Sequence, residues 1–182
     1  MGDDTDDRGG GAPQLPPRSG RPPLVSVTGR VEQVTQPAPA ALQQVLLEMA
    51  AALPGVRIGP SLVCVEGTRA FHVPAGTQLA KRQLLLADGE FGHLHPVYDG
   101  SLHLRLPDPV TARAVAAGWA LAAEPEGSVL VFAPRDPEEL ETIWQLVLAA
   151  YRHAAPGGVA AQTTNDAQGD PHDADPDPAA DR

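Results

Sequence analysis

Residues 91–106 read Phe91-Gly92-His93-Leu94-His95-Pro96-Val97-Tyr98-Asp99-Gly100-Ser101-Leu102-His103-Leu104-Arg105-Leu106, and the alternation within them decides the fold. Side chains two apart on a strand share a face of the sheet. Leu102, Leu104 and Leu106 therefore point one way, and Ser101, His103 and Arg105 the other. Leu94 must join the leucines, because a sheet with one buried face gathers its apolar residues there and a one-residue slip would reverse every side chain. That parity favours a five-residue loop at 96–100 over a two-residue turn at Asp99-Gly100, and it sets His93 opposite His103. The polar face of the hairpin then displays Phe91, His93, His95, His103 and Arg105 together. Half of the six histidines fall in this hairpin, so it is the first place to look for chemistry.

Working outward, three helices and several short strands surround the hairpin. Leu42, Val45, Leu46, Met49 and Leu53 follow helical spacing, and Pro54-Gly55 ends the run. Asp108-Pro109 reads as a cap followed by a first-turn proline, with Gly118 as the stop. Asp136-Pro137-Glu138-Glu139 opens the clearest helix, supplying an N-cap and two acids for the positive dipole end. Leu140, Ile143, Trp144, Val147 and Tyr151 form its apolar stripe, in which Trp144 and Tyr151 read as core fillers. Strand-like segments fall at 56–58, 62–65, 69–73, 90–95, 101–106, 119–123 and 128–133, several separated by turn signals such as Glu66-Gly67 and Pro74-Ala75-Gly76. The order of elements predicts an α+β fold, an antiparallel sheet with helices packed on one face. Its other face is then open to solvent or to a ligand.

Composition sets the limits of this unit. Residues 1–34 and 156–182 are rich in Gly, Pro and Asp and poor in large apolar groups, so both are expected to be disordered tails around a domain at 35–155. Of the net charge of −10, the last segment contributes −5, from six Asp against Arg182. That acidity, without any basic patch interleaved with aromatics, argues against a nucleic-acid partner. The N-terminus lacks a signal pattern and no apolar run reaches spanning length, which points away from a membrane and toward the cytoplasm. Gly9-Gly10-Gly11 belongs to the leading tail and is no phosphate loop.

Three imidazoles on one face suit two kinds of chemistry. They can exchange protons near neutral pH. A His-x-His strand with one more His from a neighbour can also hold a divalent metal with one position open. His72 joins them only if its strand lies beside the hairpin, and otherwise reads as a satisfied sheet histidine. His153 sits where a cation suits a helix C-terminus, and His172 lies in the acidic tail. The single cysteine, Cys64, excludes an intrachain disulfide and a multi-cysteine zinc site. In Leu62-Val63-Cys64-Val65, with no cation beside it in sequence, it reads as a small buried hydrophobe.

The spaced motifs Phe91-Gly92-His93-Leu94-His95-Pro96, Asp99-Gly100-Ser101-Leu102-His103-Leu104, Ala117-Gly118-Trp119, Arg135-Asp136 with Glu138-Glu139-Leu140, Trp144 and Tyr151 resemble the luciferase-domain family, over about residues 40–154. This small domain is shared by the luciferases of luminous fungi and many bacterial proteins. The fungal members oxidise a hydroxylated styrylpyrone with molecular oxygen and no known organic cofactor. The resemblance implies that His93, His95 and His103 are the catalytic candidates: one deprotonates a phenolic or enolic substrate, and the others, with Arg105, stabilise the anion. Phe91, Tyr98 and Arg105 are the candidate ligand contacts. The expectation is a small aromatic or carbonyl ligand on the histidine face, with oxygen-dependent or acid/base chemistry and no organic cofactor. The rival is a non-catalytic module that docks a protein partner through the same face.

Overall fold

Antiparallel pairing organises the described strands. The computed structural model describes residues 13–26, 28, 31–74, 86–87, 89–123 and 127–156. The order of elements is β1 (Val25–Ser26), β2 (Glu32–Gln33), α1 (Ala40–Ala51), β3 (Arg57–Pro60), β4 (Arg69–His72), β5 (Glu90–Leu94), β6 (Leu102–Arg105), α2 (Asp108–Ala116), β7 (Ala120–Ala123), β8 (Ser128–Val131) and α3 (Pro137–Ala154). Strands β1 and β2 pair with each other, and the other six form one sheet in the order β3-β4-β5-β6-β8-β7. Every pair in it is antiparallel, so the predicted α+β class with an antiparallel sheet is what the chain adopts.

The central strands β5 and β6 present Leu94, Leu102 and Leu104 to the core, where Leu46 of α1 and Ile143, Leu146 and Val147 of α3 are fully buried with them. Helix α3 forms as its sequence dictates: Asp136 accepts a hydrogen bond from the Glu139 amide at 2.8 Å, with Pro137 in the first turn. Helix α2 is entered one residue earlier than expected. Pro107 occupies the cap position without a side-chain bond, Asp108 is already helical, and Gly118 (φ +78°) supplies the left-handed residue after the helix end. In α1 the stripe is rotated. Val45 is exposed, while Gln43 is buried and donates to the carbonyls of Ala38 and Val97. A polar residue whose amide finds two carbonyl partners can take a buried position in place of an apolar one.

Two expectations are corrected. The segment 62–65 is not a strand but part of the loop between β3 and β4. The folded unit also begins well before residue 35. Arg18 is nearly inaccessible, its guanidinium gripping both oxygens of Glu139 at 3.2 and 2.9 Å and stacking 5.3 Å from the Phe132 ring centre. Trp119 Nε1 donates to the Pro16 carbonyl at 2.6 Å, and the Arg18 amide to the Ala117 carbonyl at 2.8 Å. Polar groups thus anchor a stretch whose composition promised no core. Gly9-Gly10-Gly11, the Ala75-Gly76 turn and the segment 157–182 with His172 lie outside the described residues. No helix among the described residues is long and apolar enough to cross a membrane.

Candidate functional site

The register of the hairpin is the one its parity demands: Gly92 opposes Leu104, His93 opposes His103 and Leu94 opposes Leu102. Three imidazoles therefore meet. The His93 ring lies 5.2 Å from His95 and 5.2 Å from His103, and His95 lies 6.4 Å from His103. The face is not open as expected, because His93 is 0% and His95 5% exposed.

Alternation fails one residue upstream. Phe71 pairs with Gly92 but His72 pairs with Glu90, so Phe91 is the extra residue of a β-bulge. Past the bulge the sense of the faces reverses. Phe91 turns into the core, 5.9 Å from Phe71 and 5.8 Å from Tyr151, and is not on the histidine face. Glu90 takes its place there. The glycine is needed beside the bulge: a Cβ on Gly92 would lie 2.5 Å from Leu104 Cδ2 and 3.2 Å from the His103 carbonyl oxygen.

Each of two histidines is held by its own carboxylate. His93 Nδ1 lies 2.6 Å from Glu90 Oε1, and His95 Nδ1 lies 2.9 Å from Asp99 Oδ2 and 3.1 Å from Ser101 Oγ. Glu90 also accepts from the Ser61 hydroxyl and the Leu62 amide, both at 2.9 Å. Asp99 accepts from the Ser101 hydroxyl and amide and from the Gln33 amide of β2. A carboxylate on Nδ1 fixes the tautomer and leaves Nε2 for other work. For His93 that Nε2 is fully buried and has no hydrogen-bond partner among the described residues.

What faces these nitrogens is Cys64. Its Sγ, one nitrogen of His93 and one of His95 all lie within 4.8 Å of one another. The loop is tied down by Ser61, whose Oγ accepts from the Val63 and Cys64 amides at 3.2 and 3.1 Å. Cys64 is thus not the buried hydrophobe its neighbours in sequence imply; its cations come from across the sheet. Burial pushes its thiol up, but His93, His95 and Thr68 beside it bring the pKa down to about 5. Burial likewise disfavours charge on His95, yet Asp99 and Cys64 raise it to about 9; Glu90 and Cys64 raise His93 in the same way. Glu90 and Asp99, pushed up by burial, are held below the usual carboxylate range by their histidines.

The remaining candidates divide. Burial, and then the charges on His93 and His95, drive His103 down to about 3, and its Nε2 bonds Ser128 Oγ at 2.9 Å. Its charged form is thus disfavoured beside the other two imidazoles. Arg105 lies at the far end of β6 beside Gly127 and opposite Ser128. Tyr98 is exposed on the loop and donates to Glu32 at 3.2 Å. His72 does sit on the neighbouring strand, bonded to the Pro60 carbonyl at 3.0 Å. It lines a cleft of about 320 Å³ with Arg57, Ile58, Gly59, Pro60 and Leu62. Burial and then Arg105 lower the pKa of His153, against its expected charge at the helix end. Sequence reasoning missed Cys64, Glu90 and Asp99; only Asp99, four residues from His95, carried a local signal.

Neither the curated proteins nor the solved structures contain a match to this chain. The family model described as Luciferase domain matches residues 88–150, and so assigns the stretch from the histidine hairpin into α3 to the family its motifs resemble.

Proposed function

We propose that the histidine face binds a small aromatic or carbonyl-bearing ligand and stabilises the oxyanion that forms when its phenol or enol loses a proton. The observation that supports this is His93: a buried imidazole whose Nδ1 is locked by Glu90 and whose Nε2 has no hydrogen-bond partner among the described residues. Donors fixed in advance and shielded from water stabilise developing negative charge without reorganising at the moment of reaction. His93 and His95 supply that positive charge, while neutral His103, edge-on to His93 at 79°, supports the ring. The cleft beside Leu62 and His72 has the volume of small-molecule sites. None of the three histidines lines it; it is linked to them through Leu62, whose amide donates to Glu90, the carboxylate that holds His93.

A thermal-shift screen of the full chain against hydroxylated pyrones, phenols and β-dicarbonyl compounds tests this reading, with His93→Gln in parallel. Ligand at about 100 times its Kd stabilises by roughly 2.7 kcal/mol, a rise of roughly 5–10 °C for a domain of this size. The rise is expected in the wild type and absent from His93→Gln. No response in the wild type, or equal responses in both, overturns the reading. The rival interaction module draws on the exposed Leu62, Val63, Val97 and Tyr98 of the two loops. It predicts the same melting temperature with every compound.

A further inference from the structure

Side chains from three places in the chain converge on one point of the histidine face: Cys64 from the loop after β3, His93 from β5, and His95 from just beyond it. We propose that Cys64, His93 and His95 form a mononuclear site for a divalent transition-metal ion of the zinc class, with Glu90 and Asp99 as its outer shell and a fourth position for ligand. This deepens the reading above and rests on it in one respect: the metal becomes the positive partner of the ligand's oxyanion.

The donor set selects the metal. One thiolate and two imidazoles suit zinc and its neighbours, whereas calcium and magnesium require oxygen ligands. Three protein ligands with a fourth position open is the arrangement of catalytic rather than structural zinc. The spacing is close to the required one. Bond lengths of about 2.0–2.1 Å to nitrogen and 2.3 Å to sulfur hold tetrahedral donors roughly 3.3–3.7 Å apart, against separations of up to 4.8 Å here. The histidines are fixed by strand register and carboxylates, and Cys64 is carried on a loop, so a small closing movement completes the set.

The second observation is independent of the spacing. Metal-binding histidines almost always give their other ring nitrogen to a carboxylate, carbonyl or water, and here both do, to Glu90 and Asp99. Buried polar groups normally have partners. Yet His93 Nε2 is buried and makes no hydrogen bond of normal length among the described residues; the group it faces is the Cys64 thiol, a weak partner that an ion between them would replace. Cys64 lies outside the stretch matched by the family model, so this ligand belongs to the present chain's own reading.

The test is a cobalt(II) titration of the full chain after chelation and dialysis, followed by zinc displacement. One equivalent of cobalt is expected to bind, with a near-ultraviolet thiolate-to-cobalt charge-transfer band and the intense visible bands of a tetrahedral ion, all bleached by zinc. Cys64→Ser is expected to lose the charge-transfer band, and Asp99→Asn to weaken binding about 10–100-fold. Because Cys64 is the only thiol, zinc is also expected to protect the wild-type protein from iodoacetamide, which needs no variant to fold. Absence of the charge-transfer band, its survival in Cys64→Ser, or alkylation unaffected by zinc overturns the proposal. These readouts use the metal alone. A lost cobalt site with an intact ligand shift leaves the oxyanion to the imidazolium pair. An intact cobalt site without any ligand shift refutes the ligand class only.

Discussion

Replacing Glu90 by glutamine is the sharpest probe of how the site is held. Glu90 is fully buried and accepts three hydrogen bonds: from Ser61 Oγ and His93 Nδ1 on Oε1, and from the Leu62 amide on Oε2. Glutamine keeps one acceptor oxygen. If it serves Ser61 and His93, the new amide NH2 faces the Leu62 N–H, donor against donor, with no water to relieve them. A buried polar group left unpaired costs about 1–3 kcal/mol, and bonds to a charged acceptor exceed neutral ones by about 1 kcal/mol. Together these give a loss of roughly 2–4 kcal/mol, or about 5–12 °C in Tm. The loss is local in origin, because Leu62 and Ser61 pin the loop that carries Cys64. Denaturant unfolding should therefore show the destabilisation, and hydrogen exchange should show faster labelling of the peptide spanning 61–64 than of β6. A change below about 0.5 kcal/mol, within the range of ordinary surface substitutions, with unaltered exchange in that peptide, refutes the assignment of Glu90 as the anchor.

Other consequences follow from the same geometry. Glu139, pushed up by burial but held at about 2 by Arg135 and Arg18, lies well below its ordinary 4.5. At about 1.4 kcal/mol per unit this is roughly 3 kcal/mol shared between two arginines, so Arg18→Ala should cost about 2 kcal/mol at pH 7. Because the folded pKa is depressed, that contribution is complete above about pH 4.5 and disappears as pH falls through about 2. The wild-type advantage should shrink over that window, and a constant difference across it would show that the ion pair is not its source. Deleting residues 1–34 removes Arg18 and the Pro16 carbonyl together, so it should lower Tm at least as much as Arg18→Ala; an unchanged melt would return the boundary to residue 35. Gly92→Ala forces a methyl against Leu104 and should cost about 1–3 kcal/mol by overpacking, whereas a neutral result would mean that β6 yields freely.

Short-range pattern carried much of this molecule. The parity of Leu94 with Leu102, Leu104 and Leu106 was sufficient to pair His93 with His103, since burying one face leaves only one register. Asp136-Pro137 and the apolar spacing behind them likewise contained helix α3, because capping and periodicity act within a few residues. What escaped such reading depends on partners distant along the chain. The bulge that sends Phe91 into the core and Glu90 onto the histidine face arises from β4 meeting β5 with one residue fewer, which neither strand encodes alone. The environment of Cys64 is made by His93 and His95, some thirty positions away, so its immediate neighbours Val63 and Val65 say nothing about its charge. Arg18 in a glycine- and proline-rich stretch has no apolar pattern to announce burial; only the folded arrangement of Glu139, Ala133 and Phe132 supplies the partners that allow an arginine inside. The sequence by itself determined which residues alternate and which helices start. The tertiary structure decided which charges meet, because electrostatic partnership depends on distance in space and not on spacing along the chain.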